Sequence, residues 1–263
     1  MKLFIRPEGG IAGDMFAAAL IDAGAGAEDV TKAMQTAAEK LGRASVRYLK
    51  TADGCGRLHI EVEHHHGHLS SNKAIELLDE LYDELSIKQP YRTFGQSMLN
   101  HLIKAEKEAH ETYDFDMGHH HHHHHHHVGG HHHHHEEPEA WLHEAQDILI
   151  DVTGAVMGLQ LLSAPVKAEL TCPVSWGGGS VSFSHGTLKV PAPATEMMIK
   201  NNKIPVTAGP IETELFTPTG AALLSALSAN EVTEIKDKAA LVKGCSRGTK
   251  DLPVEPLKIF LLK

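Results

Sequence analysis

The feature that most constrains this chain is a histidine tract in its middle. Nine consecutive histidines at residues 119–127 are followed by Val128-Gly129-Gly130 and then by five more at residues 131–135. Such a run has no apolar period, so it cannot form a helix or a strand with one dry face. We therefore predict a solvated, disordered loop over residues 114–140, between two folded segments.

The chemistry of this tract favours metal binding. Imidazole is largely neutral at pH 7 and is a good ligand for nickel, copper, zinc and iron. A mobile run of imidazoles can bind a transition-metal ion in many registers, which suits collecting or buffering the ion. Two plainer interpretations stay open: an affinity tag, although tags usually stand at chain ends, and a low-complexity insertion without a role. The composition does not choose the metal.

A second histidine cluster follows a predicted strand over residues 57–63. Four of the five residues at positions 64–68 are histidines, and the alternative to a metal-ligand cluster is an exposed polar turn. The candidate metal ligands of the chain are the histidines of the two clusters: His64, His65, His66, His68, His119, His120, His121, His122, His123, His124, His125, His126, His127, His131, His132, His133, His134 and His135.

Composition excludes several classes of protein. The net charge of −10 argues against a nucleic-acid partner, which would require a basic patch. Cys55, Cys172 and Cys245 are widely spaced without a C-x-x-C motif, so neither a zinc ribbon nor an iron–sulfur cluster is indicated. The sequence has no apolar run of membrane-spanning length and no signal peptide at its start, so we expect a cytoplasmic protein without a membrane partner.

The patterns on both sides of the tract predict an α+β fold, with mixed sheets flanked by helices. Residues 1–113 form an N-terminal α/β part with a glycine-rich loop, and residues 141–263 form a C-terminal α/β part of the same body. A strand over Lys2–Arg6 leads through glycines into an apolar helix at residues 15–23. Further helices are predicted to begin at N-caps, the residues that accept the first free N–H groups of a helix: Ser71, Thr195 and Thr217.

Two helix starts are candidate anion sites. The loop with Gly9, Gly10 and Gly13 exposes backbone N–H groups at a helix N-terminus, where a phosphate can bind. Asp14 either caps this helix or acts as a metal-binding or acid–base carboxylate. The second helix start carries Thr217, Thr219 and Gly220, with Pro218 at the first helical position. A basic glycine turn contributes two further candidates for substrate binding, Arg247 and Lys250.

A stripe of polar residues marks the helix that follows the tract. Asp147 and Asp151 are four residues apart, which places both carboxylates on one helical face. His143 is four residues before Asp147, with Glu144 beside it. A solvated face is the alternative, but the apolar neighbours indicate a mostly buried helix. His185 in a distant loop is a further candidate, although a lone histidine is more often a hydrogen-bonded loop residue.

These motifs together resemble the LarC family of nickel insertion proteins. The matching segments run in order along the whole chain: Gly9-Gly10-Ile11-Ala12-Gly13-Asp14-Met15, His143-Glu144, Asp147-Ile148-Leu149-Ile150-Asp151, Gly177-Gly178-Gly179, Ser184-His185-Gly186, Val190-Pro191-Ala192-Pro193-Ala194-Thr195 and Thr217-Pro218-Thr219-Gly220-Ala221-Ala222. A His-rich insertion between the first two segments also fits this family.

The resemblance implies a CTP-dependent cyclometallase of the lyase class. Such an enzyme inserts nickel into pyridinium-3,5-bisthiocarboxylic acid mononucleotide, through S–Ni and C–Ni bonds, and so makes the nickel-pincer cofactor of lactate racemase. The family continues into a C-terminal domain that binds CTP and a divalent metal, Mg or Mn. We therefore expect this chain to be the N-terminal part, inactive without that domain or a longer product. Lactate racemase apoprotein and a second copy of the chain are further candidate partners.

The residue chemistry leaves the roles open. Asp14, His143, Glu144, Asp147, Asp151 and His185 are the candidate catalytic residues, and any of the last five could take the ring proton as carbon binds nickel. The alternative function is a non-catalytic nickel store or metallochaperone built on the histidine tract. Deleting the tract separates the two functions, because excess nickel should rescue an enzyme but not a store.

Overall fold

The computed structural model describes residues 1–62, 69–112, 141–142, 145–183, 186–235 and 241–262. Its helices are α1 (Gly13–Asp22), α2 (Ala27–Glu39), α3 (Ser71–Glu84), α4 (Tyr91–Thr112), α5 (Ala145–Leu162), α6 (Pro193–Asn202) and α7 (Pro218–Ala226). Its strands are β1 (Lys2–Arg6), β2 (Ala44–Lys50), β3 (Gly56–Val62), β4 (Leu69–Ser70), β5 (Trp141–Leu142), β6 (Ala168–Leu170), β7 (Val174–Ser175), β8 (Ser180–Phe183), β9 (Gly186–Lys189), β10 (Val206–Thr207), β11 (Leu241–Ser246) and β12 (Leu257–Leu262).

One mixed sheet of six strands organises the fold, in the order β2-β3-β11-β12-β1-β6. The pairs β2–β3, β11–β12 and β1–β12 are antiparallel, whereas β3–β11 and β1–β6 are parallel. This order contains β1, β2 and β3 from before the histidine tract and β6, β11 and β12 from after it, so the two halves of the chain build one sheet. The α+β class predicted from the sequence is confirmed.

Helix α1 packs against both the sheet and α5. It carries apolar side chains on all sides, and the residues from Met15 to Ile21 are all buried. A helix that is apolar all round must lie inside the molecule. The start of α1, with Asp14, is thereby held next to the starts of other helices.

The helix ends test the capping predictions. Thr217 caps α7 as predicted, and its side-chain oxygen accepts a hydrogen bond from the N–H of Gly220 at 3.2 Å. The prediction for Ser71 is wrong by one residue, because Ser70 caps α3. The prediction for Thr195 is also wrong: α6 already begins at Pro193, and Thr195 is buried within its first turn. Among the described helices, none is long and apolar enough to cross a membrane.

Candidate functional site

Four helices begin around one cavity of about 790 Å³. Its wall includes the starts of four helices from distant parts of the sequence, α1, α5, α6 and α7. The lining residues from these starts are Ala12, Asp14, Asp147, Ile148, Asp151, Ala192, Pro193, Ala194, Thr217, Pro218 and Thr219. The N-terminus of a helix carries partial positive charge, so four such ends favour negative charge in the cavity.

Thr219 joins three of these helix starts. Its hydroxyl oxygen accepts a hydrogen bond from the N–H of Gly13 at 3.2 Å, the first residue of α1. The same hydroxyl donates to Oδ2 of Asp151 on α5 at 2.7 Å. Ala12, at the N-cap of α1, makes no side-chain hydrogen bond of its own, so Thr219 of α7 supplies that cap. Thr219 therefore fixes the relative positions of α1, α5 and α7 at the cavity floor.

Gly13 lets α1 and α5 approach each other closely. A Cβ atom at this position would lie 2.6 Å from both Cβ and Oδ2 of Asp151. No side chain fits in that space, so a larger residue would push the carboxylate of Asp151 away from Thr219. The glycine thus has a packing role at the floor of the cavity.

Two coupled carboxyl groups, Asp14 and Asp151, lie at this floor. Burial raises the pKa of Asp14 from 3.8 to about 6; the N–H of Met15, which donates to Oδ1 at 2.7 Å, opposes this effect, and the charge of Asp147 adds to it. Burial also raises the pKa of Asp151 well above its usual range, with a further rise from the charge of Asp14. The hydrogen bond from Thr219 acts in the opposite direction.

Burial and mutual repulsion therefore oppose ionisation of both groups at once. Like charges at one buried site do not both ionise easily, so the two carboxyl groups titrate in separate steps. A pKa of about 6 leaves Asp14 mostly ionised at pH 7, whereas the pKa of Asp151 is raised well above its usual range by burial and by the charge of Asp14. A carboxylate with a pKa near the working pH can both accept and return a proton efficiently.

The cavity as a whole is acidic. Its lining includes six carboxyl groups, Asp14, Glu61, Glu106, Asp147, Asp151 and Glu214. Among the described residues that line it, Lys250 is the only lysine or arginine. The apolar part of the wall comes from side chains such as Ile60, Leu102 and Ile148. This combination suits a partly apolar ligand that binds together with positive charge.

The N–H groups of the glycine-rich loop are largely used within the protein. Gly10 donates to the carbonyl of Pro7 at 3.0 Å, and Ile11 donates to the carbonyl of Leu215 at 2.8 Å. The N–H of Gly13 is bound by Thr219, as described above. Gly10 has a φ of 93° and lies against the backbone of Leu215, where a Cβ atom would be 2.0 Å from the carbonyl oxygen. A phosphate at this loop would have to displace these bonds.

Several of the residues singled out from the sequence come together in this cavity: Asp14, Asp147, Asp151, Thr217, Thr219 and Lys250. The shared face predicted for Asp147 and Asp151 is confirmed, because both line it. Gly220 packs its backbone on Ile11, where a Cβ atom would be 2.3 Å from the carbonyl oxygen. Gly9 and Arg247 line a neighbouring chamber rather than the cavity itself.

The other predicted residues lie outside the described part of the chain. They are His64, His65, His66, His68, His143, Glu144, His185 and the histidines of the tract at residues 119–127 and 131–135. Within the described ranges, no group of three or more His, Cys, Asp or Glu side chains is arranged to hold a metal ion.

The sequence reasoning missed three acidic residues of the cavity wall, Glu61, Glu106 and Glu214. Glu61 lies on β3, where it alternates with apolar residues and reads as a solvent-facing position. Glu106 lies on α4 between the buried residues Ala105 and Ala109. Its position beside the apolar face of the helix is the one sequence feature that could have indicated a carboxylate facing the interior.

Comparison with known protein families decides what kind of protein this is. The model of the family described as nickel insertion protein matches residues 3–262. The chain belongs to the nickel insertion protein family. The match extends over nearly the whole sequence, and it includes all the segments that form the cavity.

Two curated relatives carry a more specific name, pyridinium-3,5-bisthiocarboxylic acid mononucleotide nickel insertion protein. The protein from Thermotoga sp. strain RQ2 is 31% identical over 269 residues, which cover 96% of this chain and 58% of the relative. The protein from Clostridium kluyveri is 38% identical over 126 residues, which cover 47% of this chain and 30% of the relative. The chain thus spans little more than half the length of the Thermotoga protein. No solved structure matches this chain significantly.

Proposed function

We propose that this chain forms the part of a nickel insertion protein in which nickel enters pyridinium-3,5-bisthiocarboxylic acid mononucleotide. The observation that carries the proposal is the coupled pair Asp14 and Asp151 at the floor of an acidic, partly apolar cavity. Membership of the nickel insertion family and the names of two relatives supply the metal and the organic acceptor.

The reaction needs a proton acceptor next to the ring. Nickel bonds to the two thiocarboxylate sulfurs and to the ring carbon between them, and that carbon gives up its hydrogen as a proton. Asp14 is the base in this proposal, because it is ionised at pH 7 and faces the cavity. Asp151, held by the hydrogen bond from Thr219 and packed against Gly13, positions the start of α1, which carries the base.

The charges of the cavity also fit a reaction in which nickel is a substrate. Two thiocarboxylates placed close to Asp14 and Asp147 would be repelled by like charge. A nickel dication between the ring substituents and the cavity floor removes most of this repulsion. The histidines at residues 119–135, which lie outside the described residues, supply nickel to the cavity in this scheme.

The remaining parts of the reaction are assigned to the rest of the protein. We place CTP and its Mg or Mn ion on a C-terminal domain, and the product is the cofactor of lactate racemase. The overall reaction is then that of a nickel-inserting cyclometallase. This chain contributes the cavity in which the ring is metallated.

A mass-resolved insertion assay tests the proposal. The purified chain is combined with the C-terminal part of the Thermotoga relative, the pyridinium substrate, nickel, CTP and magnesium. We expect a product that has gained nickel and lost the ring hydrogen. If all components are present and the substrate mass does not change, the proposed reaction is rejected.

The histidine tract favours a second candidate function, nickel storage. Removing residues 119–135 separates the two functions. A store loses most of its bound nickel in equilibrium dialysis, and its effect in cells at low nickel is lost and not restored by excess metal. An insertion enzyme without the tract regains product formation when nickel is raised.

A further inference from the structure

A second, smaller chamber of about 220 Å³ adjoins the cavity. The two spaces share part of their walls, including Asp14, Thr217, Thr249 and Lys250. The far wall of the chamber comes from the loop between β11 and β12, with Val254 and Pro256, and from Gly9. A ligand with a ring in the cavity can therefore extend an arm into this chamber.

Two basic residues line the chamber, and they differ in their partners. The Nε atom of Arg247 donates to Oδ2 of Asp53 at 2.6 Å, and Nη1 donates to the carbonyl of Val254 at 2.8 Å. These bonds tie both ends of the loop to the β2–β3 turn. Lys250, by contrast, is exposed and makes no hydrogen bond or ion pair within the described part of the chain. Lys250 is therefore the available cation at the junction of the two spaces.

We propose that Lys250 binds the phosphate of the mononucleotide, with the sugar-phosphate arm in the side chamber and the pyridinium ring in the cavity. This assignment rests on the proposed function and adds the orientation of the substrate. Ionised carboxylates of the cavity such as Asp14 repel a phosphate dianion, whereas the ammonium group of Lys250 attracts it. The ring is thereby turned toward Asp14.

The acidic residues of the chamber do not cancel this attraction. Glu255 is paired with Lys258 at 2.9 Å, which lowers the pKa of Glu255 and keeps its charge neutralised by a partner. Asp14 and Glu214, the other two acidic residues among the described residues that line the chamber, lie on the wall that it shares with the cavity. Arg247 acts as a positioning residue, because its bonds to Asp53 and Val254 hold the loop that carries Lys250.

The test compares two ligands that differ only in the phosphate. Nicotinic acid mononucleotide and its riboside are titrated calorimetrically into the wild-type chain and into Lys250→Ala. We expect the variant to bind the mononucleotide about tenfold more weakly, the loss typical of one hydrogen bond to a charged group, and to bind the riboside as the wild type does. Lys250→Arg should retain most of the affinity.

A matched control and the salt dependence complete the experiment. Lys243→Ala removes an exposed lysine of β11 that lines neither space, and its affinities should equal those of the wild type. The wild type should lose mononucleotide affinity as salt is raised, and Lys250→Ala should lose less. The assignment is overturned if both ligands weaken equally, if neither weakens, or if the wild type binds no mononucleotide. If Lys250→Ala selectively loses affinity for the mononucleotide but the insertion assay gives no nickel product, the phosphate-binding role of Lys250 is supported and the proposed reaction is rejected.

Discussion

Replacing Asp14 by asparagine should stabilise the protein at neutral pH. The pKa of Asp14 rises from 3.8 to about 6 on folding, so ionising this group in the cavity costs free energy. At 1.4 kcal/mol per pKa unit, the cost at pH 7 is about 3 kcal/mol. Asparagine keeps an oxygen that can accept the N–H of Met15 but carries no charge. We therefore expect Asp14→Asn to raise the free energy of unfolding by up to about 3 kcal/mol at pH 7.

The pH dependence distinguishes this effect from a packing effect. The penalty is close to its full size above pH 6 and shrinks as the pH falls from 6 toward 3.8, because Asp14 is then protonated in the folded state and increasingly protonated in the unfolded state. Urea unfolding at a series of pH values measures the difference between variant and wild type. The difference in the free energy of unfolding should shrink to about 0.5 kcal/mol at pH 4.

The control is Asp29→Asn, which removes an exposed carboxylate from α2. Asp29 lies in the first turn of α2, so this variant should lose no more than about 1 kcal/mol, the contribution of one charge near a helix start, and it should not gain stability at neutral pH. A destabilised Asp14→Asn protein, or a stability difference that is the same at pH 4 and pH 7, would refute the assignment of a buried, proton-binding carboxylate.

Three further predictions concern the residues around Asp14 and Asp151. Asp147→Asn should lower the pKa of Asp14 below 6, measured by NMR titration of the carboxyl carbons, because one of the charges that raise it is gone; an unchanged pKa contradicts the coupling. Thr219→Val should destabilise the fold by about 1–3 kcal/mol in urea unfolding, since Gly13 and Asp151 lose their partner, whereas Thr219→Ser should not. Gly13→Ala should cost about 1–3 kcal/mol through overpacking, and wild-type stability would disprove the close contact.

Local signals in the sequence predict the ends and faces of elements well when several agree. Thr217 is followed by proline and an apolar run, and it caps α7 as expected. Asp147 and Asp151 share a face because their spacing alone determines it. The predictions for Ser71 and Thr195 are wrong for different reasons. Ser70 and Ser71 carry the same side chain, so the sequence does not show which of them has the backbone conformation of a cap. The cap of α6 is Ala192, whose side chain makes no capping hydrogen bond and therefore gives no signal.

The cavity itself depends on contacts that no local pattern contains. Thr219 reaches Gly13 across 206 residues and Asp151 across 68 residues of sequence. The bridge between Ile11 and Phe216 joins the segments that lead into α1 and α7, and periodicity does not determine such a pairing. The pKa of Asp14 follows from this burial, so the sequence could name the residue as a candidate but could not choose between cap and base.

The most direct test of the account follows the hydrogen on the ring carbon between the two thiocarboxylates. A substrate deuterated at that carbon is incubated with the complete nickel insertion system built on the wild-type chain, Asp14→Asn or Asp29→Asn. We expect deuterium to leave the ring as nickel product forms with wild type and Asp29→Asn, and to stay on the ring with Asp14→Asn. Equal release of deuterium by Asp14→Asn and wild type would show that another group takes the proton.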